Sequence, residues 1–246
     1  MIHTREHQSV LAAAERRLLI AIARRLPPFV NSDHLTLIGL VSMPLAGFAF
    51  AYIPDARWIA AAAFVLALTA NWFGDSLDGT LARVRNQQRP RYGFYVDHVI
   101  DLAGTAALVA GMAASGLMQP AIAAALVAAY FLVAAESYLA THAVGTFRIS
   151  FAGCGPTELR VVLAIGALMV VNKPSVVLAG HHLRLLDVGA SVGIAGLVVA
   201  FLTSAFKNTT ALYRADPVPS RETAADAAHR AAAVNSTQLL GVKHAR

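Results

Sequence analysis

Asp75 and Asp78 stand three residues apart and Asp97 and Asp101 four apart, each pair at the margin of a long apolar segment. Both spacings put the two carboxylates on one face of a helix. A short link between antiparallel neighbours can then bring all four together. A carboxylate at membrane depth costs about 2.5–3.5 kcal/mol on insertion scales, and less near the interface. Four gathered at one place also repel one another. A divalent cation removes both difficulties, and hard oxygen ligands suit magnesium or manganese. Gly79 leaves room for a ligand to approach the backbone, and Ala82 is small for the same reason. Arg83, one turn beyond Gly79, offers a planar fork to a phosphate. Gly93 opens the next helix without a side chain. Together these residues describe a metal-dependent pyrophosphate site. A purely structural reading, in which the aspartates cap helices or pair with Arg83, Arg85, Arg89 and Arg91, serves for one of them but not for the whole constellation.

The elements that must position these residues are membrane helices. Of 246 residues 57% are hydrophobic and 14% charged, and the mean hydropathy of +0.58 is far from that of a soluble domain. Spanning about 30 Å of hydrocarbon takes roughly 20 apolar residues. Six runs qualify: 35–53, 58–75, 96–117, 121–144, 159–176 and 185–206, the fifth cut short by Asn172, Lys173 and Pro174. The sequence thus predicts an all-α integral membrane fold of six transmembrane helices. The formal charge of +6 and pI near 9.9 then report topology and anionic membrane lipid, and no nucleic acid partner is expected. Cys154, the lone cysteine, excludes an intrachain disulfide and a cysteine zinc cluster. Residues 1–30 are too charged for a cleavable signal peptide, and none is expected.

Ahead of the first span, "VLAAAERRLLIAIARRL" places Leu11, Leu18, Leu19, Ile22 and Leu26 on one helical face, with Glu15, Arg16, Arg17, Arg24 and Arg25 around the rest. That pattern predicts an amphipathic helix in the cytoplasmic interface. Ser32 or Asp33 is the expected N-cap of the first span. Beyond Tyr213 the chain turns polar and alanine-rich, with no apolar period that could build a core. Three regions follow: an amphipathic juxtamembrane helix in 1–30, a six-helix domain in 31–213, and a loosely ordered cytoplasmic tail in 214–246. With both termini inside, 17 lysines and arginines fall on the inner side and three, Arg57, Lys173 and Arg184, on the outer. This places the aspartates on the cytoplasmic face of the cell (inner) membrane.

The run Asp75-x-x-Asp78-Gly79-x-x-Ala82-Arg83, nine residues, then Gly93-x-x-x-Asp97-x-x-x-Asp101 resembles the signature of the CDP-alcohol phosphotransferases (CDP-alcohol phosphatidyltransferases), with all eight fixed positions filled. The resemblance takes in six spans, the cytoplasmic amphipathic helix and "VNSDHLTLIG" at the start of span one. It departs at Ser32, where relatives often have proline, and it does not cover the tail after about residue 214. It implies that Asp75, Asp78 and Asp97 ligate metal, Mg2+ or Mn2+, with Asp101 shared between metal contact and catalytic base. It implies that Gly79, Ala82, Arg83 and Gly93 line a CDP pocket, with Asn31 and Thr36 near the nucleotide. A homodimer is implied as well. The expected reaction is phospholipid biosynthesis: transfer of a phosphatidyl-type group from a CDP-linked lipid donor, CDP-diacylglycerol first among them, to an alcohol acceptor. Asp101 takes the hydroxyl proton, the oxygen attacks the phosphate bearing the lipid, and CMP leaves.

For the acceptor, the second half of the chain offers Glu136, His142, Arg148, Glu158 and Arg160. Arg148 and Arg160 are candidates for an acceptor phosphate, as in inositol-phosphate or glycerol-phosphate transferases of this family. The plainer alternative is that Glu136 and Glu158 neutralise them. His142 reads as a hydrogen-bonded bundle residue. Two other classes remain to be weighed. A cation-coupled transporter would place its acids near the bilayer midplane on broken helices rather than at one face beside a phosphate-type arginine. A scaffold with a dead site would lack an aspartate, and none is missing.

Overall fold

The computed structural model describes residues 4–6, 12–144, 146–148 and 155–218. A short strand β1 (Thr4–Glu6) precedes helices α1 (Ala12–Arg25), α2 (Ser32–Ala51), α3 (Ile53–Val84), α4 (Pro90–Ala114) and α5 (Pro120–Val144). Strand β2 (Thr146–Arg148), helix α6 (Pro156–Asn172), strands β3 (Ser175–Leu178) and β4 (His181–Arg184) and helix α7 (Leu185–Ala215) complete the order. β1 pairs in parallel with β2, Thr4 opposite Thr146. The architecture is that of an all-α membrane protein with short strands at its connections. Helices α2, α3, α4, α5 and α7 are long and apolar enough to cross a membrane. α6, with 17 residues, stops at Asn172 rather than Val176. At 1.5 Å per residue it reaches about 25 Å, short of a full crossing by itself.

The core is built on α2, which packs against both α3 and α4. Hydrocarbon offers no hydrophobic drive between helices, so small residues that let backbones approach take its place. In the buried stripe of α2, Gly39, Ser42, Ala46 and Gly47 are of that kind, between Leu35 and Phe50. A Cβ on Gly74 of α3 would stand 2.5 Å from the Leu35 carbonyl oxygen and 2.6 Å from the Gly39 nitrogen. On the other side, a Cβ on Gly111 of α4 would stand 2.0 Å from the Gly47 carbonyl oxygen. Farther along, Phe50 and Phe64 close the same seam edge to face, their centroids 5.0 Å apart.

Several local outcomes differ from the sequence reading, each for a physical reason. The N-cap of α2 is Asn31, one residue before the expected Ser32 or Asp33: its Oδ1 accepts the His34 N–H at 2.9 Å. The Ser32 hydroxyl is thereby free to reach across to the Asp78 carbonyl, at 2.5 Å. α3 has a non-helical break at Ala56 and Arg57, in keeping with a span beginning near Trp58. It does not end at Asp75 but continues to Val84. In α1, Leu19 and Ala23 are buried against Leu77 and Leu81 of α3, with Ile22 and Leu26 beside them. Leu18 instead is 51% exposed, and Leu11 lies outside the described residues. The β3–β4 hairpin was not legible as strands. Its two-residue turn, Ala179 and Gly180, has φ of 50° and 82°, the all-positive pattern of a tight hairpin turn.

The first compact unit ends at Ser204. The second begins at Ala205, and its described part is the end of α7 and residues to Val218, with Phe206 and Tyr213 exposed.

The glycine seams give a direct expectation. Gly111→Ala must push backbone against backbone and should lower the detergent-solubilised Tm by several degrees, equivalent to about 1–3 kcal/mol of overpacking. Gly196→Ala, where no atom lies within 4 Å of the added Cβ, should leave Tm unchanged or slightly raised. Equal shifts for the two would show that the close approach of α2 and α4 does not set stability.

Candidate active site

The aspartates sit on two helices that α2 holds in place. Continuous helix through Gly79 keeps Asp75 and Asp78 on α3, and α4 carries Asp97 and Asp101 one turn apart. Carboxylate oxygens of Asp75, Asp97 and Asp101 all lie within 4.8 Å of one another. At that separation two full charges repel by roughly 3–4 kcal/mol at an effective dielectric near 20. Asp78 faces the start of α2: its carboxylate accepts the Thr36 hydroxyl at 2.7 Å and the Gly79 N–H. With the Ser32 bond, this ties the first turn of α2 to the acidic turn of α3.

Among the described residues, Arg160 brings a cation into the cluster. Arg160, from the first turns of α6, donates Nη2–H to Asp75 at 2.5 Å and Nε–H to Asn71 at 2.8 Å. Asn71 in turn donates to the Gly39 carbonyl at 3.1 Å and is itself buried. Nη1 of Arg160 is buried and has no hydrogen-bond partner among the described residues. Such a donor is costly to leave unmet.

The three oxygens fit a hard divalent cation. Octahedral magnesium holds its oxygens about 2.0–2.1 Å away, so opposite ligands are about 4.2 Å apart, and 4.8 Å is reached by sub-ångström side-chain adjustment. The neighbouring glycines lie in open surroundings. Among the described residues nothing lies within 4 Å of a Cβ placed on Gly93, so packing among them does not require glycine there. At Gly79 the nearest atom to such a Cβ is Nη1 of Arg83, at 3.4 Å. Arg83 is exposed and its Nη2 donates to Thr80 at 3.0 Å, while Ala82 is half-buried beside it.

Asn31 serves as the N-cap and Thr36 as the hydroxyl on Asp78, which brings both residues to the α2 end of the site. Arg148 ends β2, where only the backbone is described. Glu158 accepts the Gly155 N–H at 3.0 Å and closes a cap on its own helix; the carboxylate on Arg160 is that of Asp75. Glu136 is buried in α5. The sequence reading missed Asn71 and Ser32 as site residues. Asn71 carried a signal: a buried amide one helical turn before Asp75, inside an apolar span.

Arg85 holds the approach to the site. Its guanidinium donates to the carbonyls of Val30, Pro27 at 2.9 Å, Leu26 at 3.0 Å and Pro28 at 3.5 Å, fastening the α1–α2 link to the end of α3. Arg89 pairs with Asp33 and lies over the Tyr92 ring at 4.1 Å.

With this geometry in place, the comparison with protein families is decisive. The family model of CDP-alcohol phosphatidyltransferase matches residues 29–204, more than half of the chain. The chain belongs to the CDP-alcohol phosphatidyltransferase family. No curated protein matches it closely enough to count as a relative. Membership fixes the class of chemistry: a transferase of substituted phosphate groups, with a CDP-linked donor and an alcohol acceptor. The matched region contains all eight signature positions and begins after α1.

Metal binding has its own check. Mg2+ or Mn2+ at about a hundredfold its Kd should stabilise the protein by roughly 2.7 kcal/mol, a Tm rise of several degrees reversed by EDTA. Asp97→Asn should lose most of that rise while keeping the metal-free Tm. An equal metal response in parent and variant would remove Asp97 from the metal site.

Proposed function

We propose that this protein is an integral enzyme of the cell (inner) membrane that moves a phosphatidyl group from CDP-diacylglycerol to a phosphorylated polyol, inositol phosphate or glycerol phosphate, and releases CMP. The observation that carries the reading is the convergence of Asp75, Asp97 and Asp101 within 4.8 Å beside Arg160. α6 is read as the sixth span, completed across the bilayer by the packing around it, and α1 as a cytoplasmic interfacial helix with Arg16, Arg17, Arg24 and Arg25 exposed to anionic lipid. The charge distribution supports a cytoplasmic site with both termini inside. The domain division of the sequence reading is kept: juxtamembrane helix to residue 30, transferase domain over 31–213, tail beyond. A homodimer is proposed on the resemblance.

Asp75, Asp97 and Asp101, with Asp78 one turn along, would hold Mg2+ or Mn2+, which supplies charge neutralisation at the pyrophosphate. Gly79, Ala82 and Gly93 leave backbone surface against which the CDP moiety can lie, and Arg83 is placed to fork a phosphate. Asn31 and Thr36 shape the same end of the pocket. Asp101 accepts the proton of the acceptor hydroxyl as the oxygen forms its bond to the phosphorus bearing diacylglycerol. The phosphoanhydride bond to CMP breaks, and CMP departs with the electron pair.

Arg160 supports an anionic acceptor. Its Nη2 and Nε are engaged by Asp75 and Asn71, and its buried Nη1 remains to meet a phosphate oxygen. Arg148 is proposed as the second cation, since a dianionic phosphate is better held by two guanidinium groups than one.

Purified protein with CDP-diacylglycerol and magnesium should release CMP with phosphorylated polyols in preference to inositol, glycerol or serine. Asp101→Asn should cut turnover by at least about a hundredfold while CDP-lipid binding persists. Arg160→Ala should raise the acceptor KM with the donor KM unchanged. Preference for an uncharged alcohol, with Arg160→Ala behaving as the parent, would overturn the acceptor assignment.

A further inference from the structure

One carboxylate outside the acidic cluster joins three helices. Glu15, in the first described turn of α1, presents Oε1 to the indole N–H of Trp72 at 2.6 Å and to the Thr157 hydroxyl at 2.8 Å. The Ser76 hydroxyl points to the same oxygen at 3.5 Å. Trp72 and Ser76 lie on α3 one turn apart, and Thr157 lies in the first turn of α6. Glu15 is half-buried.

The placement of these partners gives the contact its meaning. On α3, Asn71 and Asp75 immediately precede Trp72 and Ser76 and meet Arg160. On α6, Thr157 and Arg160 are three residues apart and so share a face. Among the described residues, two side chains of the first turns of α6 hydrogen-bond toward α3. One, Arg160, engages α3 directly. The other, Thr157, reaches α3 through Glu15, which belongs to a helix that begins the chain and lies ahead of the region the family model matches. Apolar contacts hold α1 itself on α3, with Leu19 and Ala23 against Leu77 and Leu81. Glu15 thus acts as a strut from α1, packed on α3, to the first turn of α6, whose own cap is the Gly155–Glu158 contact.

We propose that Glu15 is a positioning residue that fixes the first turn of α6 against α3 and so seats Arg160 beside Asp75. The inference rests on the reading of Arg160 as the acceptor-phosphate residue. Removing Glu15 leaves the Trp72 N–H and the Thr157 hydroxyl without this acceptor and lets Arg160 shift. Orientation at a reacting centre is sensitive to displacements of about 1 Å. Gln keeps Oε1 as an acceptor, so the conservative variant retains the joint.

The test combines two cycles of full-length protein in detergent. Glu15→Ala should raise the acceptor KM about tenfold with donor KM and kcat within twofold, and Glu15→Gln should restore it. Thr157→Val should follow Glu15→Ala. In an Arg160→Ala background the same Glu15→Ala change should add nothing to the acceptor KM. Independently of activity, the Tm losses of Glu15→Ala and Thr157→Val should be non-additive, the double variant melting near the lower single one. Additive Tm losses would overturn the joint. An acceptor KM effect of the same size with Arg160 absent would overturn action through Arg160. Should the parent release no CMP with any alcohol, the functional reading fails alone, and the Tm cycles of Glu15→Ala with Thr157→Val and with Arg160→Ala decide the joint.

Discussion

Like charges must be brought together on two helices, and the contact that achieves it lies with a third. α2 is clasped between α3 and α4 at points where only glycine allows the backbones to meet, Gly74 on Leu35 and Gly39, and Gly111 on Gly47. The repulsion among Asp75, Asp97 and Asp101 is worked against by van der Waals packing and backbone proximity on the same helices, at Gly74 beside Asp75 on α3 and at Gly111 some turns beyond Asp101 on α4. Each seam fixes a helix in translation and rotation, and the carboxylate spacing follows. Because the acids are carried within continuous helix, a shift at either seam is passed to them without being absorbed by a loop.

Polar contacts at the acidic end of the helices complete this frame. Ser32 and Thr36 tie the start of α2 to Asp78, and Arg85 satisfies carbonyls of a link in which Pro27 and Pro28 have no N–H to offer. Arg160 brings one positive charge to Asp75 and, through Asn71, contacts the same Gly39 turn that packs on Gly74. Polar and packing roles thus meet on adjacent residues. This explains why a buried amide, Asn71, lies in an otherwise apolar span.

The sequence made the acidic signature and the positions of the long apolar helices legible, since both depend on local spacing and composition. Eight identities at set spacing identified the family, and helical periodicity put each carboxylate pair on one face. What stayed hidden was long-range or depended on a single angle. The cap at Asn31 rather than Ser32 turns on which short polar side chain bends back, and Ser32 proved to have a partner 46 residues away. The β3–β4 hairpin hinges on Ala179 taking a positive φ, which alanine does not advertise. α6 stops at Asn172 because the hairpin begins where its apolar run continued. Glu15 read as one more charge on an amphipathic helix, because nothing local indicates that Trp72, Ser76 and Thr157 converge on it.

The central claim is that three aspartates from two helices, held by packing on a third, form one metal site that orders the donor pyrophosphate. Anomalous diffraction at the manganese edge, from crystals grown with Mn2+ and a CDP-linked donor, tests it most directly. The account predicts an anomalous peak bounded by carboxylate oxygens of Asp75, Asp97 and Asp101, with the pyrophosphate against it. A peak bound elsewhere on the chain, with these three carboxylates turned apart around an ordered donor, would contradict it.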